Sequence, residues 1–371
     1  RQYVLNTLNE VFESYGFDLL ETPSVEYEEV LTGKYGDEGE KLMYKFTDNG
    51  ERKVALRYDQ TVPLARVVSQ YQNELAFPFK RYQVQNVWRA ENTQKGRYRE
   101  FLQVDIDIVG TLSPLSDVEV LQIIYDTFKK LKLDIKIKIN DSSNLKEIDP
   151  KYLRIIDKLN KVGEEKILEE LKKLNAEKTY KKIISSKPTT KILSILEEFK
   201  KMGYSEEIIE IDNTLVRGLE YYTGIIIEVV LEQNKSLSLG GGGRYDNLIG
   251  LFSGKDIPAV GFSFGFDRIV EAIDELNLFP ERLTNNNVFV AFLSSDLQEK
   301  ALEITKKLRE NKINAEFYLE DAGIEKQLKY ADKKKVPFSI IISEKDLVLK
   351  DMNQRTQETL SLQEIINKLK D

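Results

Sequence analysis

Four short segments of this chain combine arginine, tyrosine and glycine in patterns suited to a polyanionic ligand. In the first, Val87-Trp88-Arg89-Ala90-Glu91 ends one extended run and Arg97-Tyr98-Arg99-Glu100-Phe101 opens the next, with residues 92–96 as the loop between them. Arg89 and Arg97 can then reach one phosphate chain from two sides with forked guanidinium donors. The plainer alternative is a set of surface arginines paired to Glu91 and Glu100. In the second, Arg217 stands among apolar neighbours in Leu215-Val216-Arg217-Gly218-Leu219, shortly before Tyr221 and Tyr222. An arginine in such company is costly unless it meets an anion. Paired phenolic hydroxyls suit the reading of a polar ring, although paired tyrosines serve equally as core. The third, Gly240-Gly241-Gly242-Gly243-Arg244-Tyr245-Asp246, offers either bare backbone for a ligand to lie on or a flexible loop. It is neither a Walker nor a Rossmann pattern, because no lysine-threonine pair and no second spaced set of glycines follows. The fourth, residues 258–268, runs from strand into helix and sets Arg268 in the first turns, where its charge adds to the attraction of a helix N-terminus for phosphate.

Composition narrows the chemistry. With no histidine and no cysteine in 371 residues, a Ser-His-Asp triad, a zinc hydrolase site and a disulfide framework are excluded. Catalysis must rest on arginines, carboxylates, tyrosines or the substrate itself. No side chain then has an ordinary pKa near about 6.5, so an acid limb in the activity is expected to belong to the substrate. The lack of cysteine suits a reducing cytoplasm. No apolar run reaches the roughly 18 residues of a membrane span, and residues 1–10 read as amphipathic helix rather than signal peptide. The net charge of −7 argues at first against a nucleic-acid partner. Basic and acidic residues balance over 285–371, however, so the deficit lies in the first 284 residues and a neutral or basic C-terminal face stays open.

These groups need elements to hold them. The opening helix carries Val4, Leu5, Leu8, Val11 and Phe12 at helical spacing and ends near Gly16. Extended patterns follow at 17–23, 44–46, 54–58, 79–87 and 101–109. The last alternates Phe101, Gln103, Asp105 and Asp107 with Leu102, Val104, Ile106 and Ile108. That predicts a strand with an aliphatic face on the core and a second face lining either a wet cavity or plain solvent. A helix is expected over 117–131, a strand over 135–139, and a Lys/Glu-rich helical insertion over 149–210, broken at Lys187-Pro188. Strand patterns resume at 221–231, and a last helix begins near Phe264. Asn285-Asn286-Asn287 reads as a linker. Beyond it strand and helix alternate, as in a small α/β domain with a largely parallel sheet, closed by two short strands and a helix.

Taken in order, these segments resemble the histidyl-tRNA synthetases, a class II aminoacyl-tRNA synthetase family, along nearly the whole chain. Residues 16–23 are similar to class II motif 1, with Pro23 its signature. Residues 79–109 are similar to motif 2 through Arg89, Glu91, Arg97 and Phe101, and residues 259–270 to motif 3 through Gly265 and Arg268. Residues 215–224 and 242–246 resemble the family's two histidine-specific motifs. The resemblance implies an α+β catalytic domain on a mostly antiparallel sheet, divided as 1–148 and 211–284 around the insertion at 149–210. An α/β anticodon-binding domain would follow at 285–371, where residues 326–332 and Gln357 fit that family of domains. It implies a cytoplasmic homodimer, joined through motif 1, that uses ATP and Mg2+ to convert L-histidine to histidyl-adenylate and then loads the 3′ end of tRNA(His).

Carried over by position, the resemblance assigns Arg89, with Glu91 nearby, to the α-phosphate of ATP and Arg97 and Arg268 to the β- and γ-phosphates. It assigns Arg217 to the α-phosphate, where relatives use a second metal ion. Asp59, Thr61 and Gln103 would hold the amino and carboxylate groups of histidine, Asp107 and Tyr222 would bracket the imidazole, and Tyr245 would help close the pocket. No side chain is assigned to a metal, so magnesium would be held mainly by the phosphates. In-line attack by a carboxylate on phosphorus needs positioning and charge neutralisation rather than a protein base, so a chain without histidine suits it. Departures exist: the family usually begins earlier, with a Gly-Thr-x-Asp segment, Asp59 and Asp107 stand where many members have Glu, and the loop after Glu344 is short. The rival reading is the regulatory paralogue that partners ATP phosphoribosyltransferase in histidine biosynthesis. That paralogue typically lacks the anticodon domain and degrades the Arg217 motif, and this chain retains both. A synthetase-like RNA-sensing domain of a larger kinase is the second rival, against which the ATP arginines count.

Overall fold

The opening helix spans Gln2–Ser14 and buries Val4, Leu8, Val11 and Phe12, the stripe its spacing sets out. The chain turns at Gly16, whose φ of 74° is readily adopted only by glycine. The computed structural model describes all residues except 34–35, 93–97, 218–221, 281–286 and 371. It resolves two units, Arg1–Leu278 and Phe279–Asp371, each with its own core.

The first unit is built on an eight-stranded sheet in the order Asp18–Leu19, Phe79–Trp88, Glu100–Val109, Ala259–Phe264, Asn234–Arg244, Ile225–Leu231, Ile135–Asp141, Ile209–Ile211. The two outermost pairings are parallel and the inner ones antiparallel. Strand alternation divides it cleanly. Val104, Ile106, Ile108, Phe262 and Phe264 are buried on one face, where Phe264 packs against Phe12 of the first helix and Phe128 of the Pro114–Lys130 helix. Gln103, Asp105 and Asp107 point to the other face and are buried as well. Of the two environments the alternation left open, plain solvent is therefore excluded.

The lysine-rich stretch forms helices Pro150–Ile156, Leu159–Val162, Glu164–Lys173, Glu177–Ile184 and Thr190–Lys201. Leu153, Ile156, Ile167, Leu171, Tyr180 and Ile183 of the first four share a core with Leu215, Val216 and Ile226. The fifth, capped by the Thr189 hydroxyl, lies beyond the break at Lys187-Pro188. It packs instead on the Pro114–Lys130 helix, with Phe199 against Tyr125. Ile209–Ile211 then adds a strand to the sheet, so a limit at residue 210 falls inside a strand. Surface composition is uniform along this stretch and carries no sign of which layer each helix faces.

A three-stranded sheet of Val25–Tyr27, Lys53–Leu56 and Lys45–Thr47 flanks the site. Arg57, fully buried, donates to the carbonyls of Thr22 at 2.6 Å and Asn86 at 2.8 Å, which ties the Pro23 segment to the Phe79–Trp88 strand. In the second unit a five-stranded sheet runs Ala315–Phe317, Val288–Phe292, Phe338–Ile342, Leu347–Asp351, Gln357–Thr359, parallel through its first three strands and antiparallel thereafter. Gln327 is fully buried there. It accepts from the amide of Phe292 at 3.1 Å and donates to its carbonyl at 2.9 Å, fastening the Ile324–Lys333 helix to the central strand.

Candidate active site

The polar face of the large sheet is set by register. Antiparallel pairing lines up Gln83, Asp105, Ser263, Gly241 and Glu228 in one row, and Arg81, Asp107, Gly261, Gly243 and Ile226 in the next. The two rows are two residues apart on each strand, so they share a face. The glycine run, read from sequence as backbone platform or loop, is strand. On the site face a Cβ at Gly241 would occupy the position of the Arg217 guanidinium, one at Gly243 would press on the Tyr222 ring, and one at Gly261 would strike the Asp107 carboxylate. On the reverse face, Gly240 makes room for the Phe262 ring. Glycine is required by close approach on both sides at once.

At one end of this floor lies a buried cluster of charge. Arg81, with none of its surface exposed, brings Nη2 within 2.6 Å of Asp107 Oδ2 and donates Nη1 to Gln83 Oε1 at 3.1 Å. The Tyr245 hydroxyl donates to Asp107 Oδ1. Gln103 donates to Asp105 Oδ2 at 2.7 Å. Burial pushes the Asp107 carboxyl up to about 7 against the pull of Arg81, with Asp105 and Asp59 adding to the rise. Asp105 is raised by the same burial. A chain with no histidine thus has a second candidate, beside the substrate, for a group that titrates near neutrality. Asp59 accepts from the Val62 amide at 3.2 Å where the Thr61–Tyr71 helix begins, which sets Asp59 and Thr61 together. Gln60 between them is buried and donates to the carbonyls of Gln85 and Gln103.

Toward the other end stand the arginines. Arg89 follows the Phe79–Trp88 strand, and its guanidinium lies over the rings of Tyr58 and Phe101, 4.5 and 5.1 Å from their centroids. Its Nε donates to the Tyr58 carbonyl at 3.2 Å and its Nη2 is 3.5 Å from Gln103 Oε1. Arg217 holds Glu228 Oε1 and the Gly240 carbonyl at 3.4 Å each, long contacts that commit its charge weakly. Arg268, in the Phe266–Glu275 helix, donates to the Ser238 carbonyl at 2.9 Å. Glu91 is half-buried, and its carbonyl accepts from Arg99 Nε at 3.4 Å. Arg97 lies outside the described residues.

Behind the tyrosines is a lock that sequence reasoning missed. Arg244, fully buried, meets Asp117 at 3.0 Å, the Ser116 hydroxyl at 2.8 Å, the Thr111 carbonyl at 3.0 Å and Asp246 at 3.2 Å. Asp246 in turn accepts from the Thr223 hydroxyl at 2.9 Å, and the Thr223 amide donates to the Arg244 carbonyl. Tyr245 and Tyr222 are neighbours in sequence of these fixed residues, so the lock sets where both rings stand. Arg81 and Asp105 were missed too. Their signal was present: Arg81, Gln83 and Gln85 alternate along one strand and fall opposite Asp107, Asp105 and Gln103 on the next.

Comparison with known proteins meets this geometry from another side. Residues 1–143 and 136–269 match the family model described as histidyl-tRNA synthetase, and residues 287–371 match that of an anticodon binding domain. The histidine–tRNA ligases of Cytophaga hutchinsonii and Christiangramia forsetii are each 38% identical to this chain, with 100% of it and 95% of the relative covered. The crystal structure of histidyl-tRNA synthetase from Nostoc sp. PCC 7120 superposes with a TM-score of 0.87 at 29% identity, covering 100% of this chain and 94% of that one. A Bacillus halodurans structure described as an ATP phosphoribosyltransferase regulatory subunit/histidyl-tRNA synthetase gives 0.64 at 22% identity over 85% and 87% of the two chains, which shows a common fold alone.

Proposed function

The chain belongs to the histidyl-tRNA synthetase family, and on that premise we propose how its residues divide the work of a histidine–tRNA ligase. Asp59, Thr61 and Gln103 hold the ammonium and carboxylate of histidine, while Asp107 and Tyr222 flank the imidazole and Tyr245 closes the pocket. Arg89 and Arg217 take the α-phosphate of ATP from opposite sides, and Arg97 and Arg268 hold the outer phosphates, with Glu91 nearby. The observation that carries this division is the single glycine-floored face, with a buried carboxylate cluster at one end and, toward the other, arginines that include the weakly held Arg217. A zwitterionic amino acid and a polyanion fit it end to end. Attack of the histidine carboxylate on the α-phosphorus then needs no protein base. The arginines take up charge that grows in the transition state, and the carbonyls and rings around Arg89 fix its fork beforehand.

Among the described residues no group of three or more acidic side chains could hold a metal ion. Magnesium would be carried on the phosphates of ATP, where it would shield their charge. The second unit supports tRNA binding through its match to the anticodon binding domain. That domain, together with Arg217 at its place on the glycine floor, favours a working ligase over the regulatory paralogue. The catalytic part would run over 1–148 and resume at the Ile209–Ile211 strand, and the anticodon part would run over 285–371. A homodimer through the Pro23 segment is supported by Leu19, Val25 and Tyr27, large apolar side chains exposed around it. A cytoplasmic place is supported by the lack of cysteine. No helix among the described residues is long and apolar enough to cross a membrane. The deciding experiment is ATP–pyrophosphate exchange with all twenty amino acids in parallel. Exchange with histidine alone is expected, and exchange with another amino acid but not histidine would refute the assignment.

A further inference from the structure

We propose that Arg81 is a specificity-determining positioning residue, which fixes Asp107 as a hydrogen-bond acceptor so that the ring end of the pocket takes amino acids presenting an N–H there. The proposal rests on the reading that Asp107 receives the imidazole. Arg81 stands directly opposite Asp107 across two paired strands, and none of its surface is exposed. Its Nη2 approaches Asp107 Oδ2 to 2.6 Å, Gln83 Oε1 takes its Nη1 at 3.1 Å, and the Tyr245 hydroxyl occupies Asp107 Oδ1. Asp107 Oδ1 thus has a protein donor, and Oδ2 is held in a close ion pair with the Arg81 guanidinium. A carboxylate oxygen accepts about two hydrogen bonds, so the group keeps capacity for a ligand N–H, in directions limited by the two side chains already there.

The reason an arginine is needed lies in the neighbours. Asp105 is on the same face of the same strand, also buried, and the charge of Asp59 reaches both. Two buried carboxylates beside a half-buried third cannot all ionise without a counter-charge, and the most deeply buried would take up protons. A protonated Asp107 would donate as well as accept. It would then meet a ring nitrogen lone pair or a carbonyl as readily as an N–H, and the pocket would lose its polarity. Arg81 pulls against this and holds the carboxyl lower than burial and its neighbours alone would leave it.

The test measures Michaelis constants for histidine and for ATP separately, in pyrophosphate exchange, for Arg81→Met, Arg81→Met with Asp105→Asn, and Asp107→Asn. Arg81→Met is expected to raise the constant for histidine at least tenfold while that for ATP stays within twofold. Adding Asp105→Asn removes one of the unopposed negative charges and should restore most of the loss. A role confined to packing would show no such rescue, so a double variant no better than the single one overturns the proposal. The double variant also carries the test if Arg81→Met alone folds poorly. Asp107→Asn should raise the constant for histidine on its own. If it does and Arg81→Met does not, the proposal alone fails. If Asp107→Asn leaves histidine binding unchanged, the reading of Asp107 as ring ligand fails and takes the proposal with it.

Discussion

Replacing Gly241 with alanine should abolish most of the catalysis while leaving the fold at least as stable as before. Gly241 lies in extended strand without positive φ, so alanine fits its backbone, and loss of glycine flexibility there gains roughly 0.5–1 kcal/mol. The new Cβ would fall on the guanidinium of Arg217. That group is the far end of a flexible side chain held by two contacts of 3.4 Å, so it swings aside at little expense. What is lost is a charge aimed at the α-phosphate, about 3 kcal/mol or on the order of a hundredfold in turnover. Gly242 provides the contrast. Its Cβ would meet the main chain of Gly261 and Phe262, with the Phe262 Cα at 2.7 Å, and a central strand cannot move aside. Overpacking of this kind costs about 1–3 kcal/mol or more. Pyrophosphate exchange and thermal unfolding should therefore separate the two variants. Gly241→Ala keeps its melting temperature and loses turnover, and Gly242→Ala loses melting temperature. Arg217→Ala should match Gly241→Ala, and the double variant should be no worse than Arg217→Ala. Near-parental exchange in Gly241→Ala would refute the place given to Arg217.

Asp107→Asn should change the dependence of stability on pH. The folded carboxyl, raised to about 7, holds its proton more tightly than the unfolded one. The contribution of Asp107 to native stability is therefore greatest at low pH, declines as pH rises from about 4 to about 7, and is lower by up to about 4 kcal/mol above that window. Replacing it should favour pH 8 relative to pH 5 in urea melts; a pH difference identical to the parent's would show that Asp107 is not the group. The same carboxyl must be ionised to accept from the ring, so activation efficiency should fall as pH drops below about 7 even with triazolylalanine, whose ring stays neutral. A flat profile with that analogue would return the acid limb to the substrate. Removing Phe279–Asp371 should spare histidine activation and sharply weaken tRNA charging, since each unit has its own core; unchanged charging would rule out anticodon recognition by that unit.

Much of the fold was legible because alternation is a local signal. Glu100–Val109 and the parallel strands of the second unit declare both their strand and their faces within a few residues. The glycine run was ambiguous because glycine carries no hydrophobic pattern; it is a strand through pairing with Ala259–Phe264 and Ile225–Leu231, and what requires glycine there is the bulk of Phe262, Arg217 and Tyr222, all distant in sequence. Arg81 went unread for a related reason. Arg81, Gln83 and Gln85 mark a polar face on their strand, but the arginine's role is not explained until the partner strand is in register and Asp107 stands across from it. Arg244 and Asp117, 127 residues apart, are the extreme case. Each is an ordinary polar residue in its own segment, and only closure of the sheet against the Pro114–Lys130 helix makes them a pair. Polar residues that share a face of one strand, then, can be read in advance, whereas charges that meet across strands or layers cannot.

A site assembled from arginine, aspartate, tyrosine and glycine has a bearing on how the cell keeps its supply of the enzyme. None of these 371 residues is histidine, so no codon in this stretch of the message waits on the aminoacyl-tRNA that the enzyme itself makes. When histidine runs short, ribosomes pause on other messages at their histidine codons, while elongation through this one proceeds at the rate set by the other amino acids. Over these 371 codons, then, elongation does not depend on the product of the ligase that they encode.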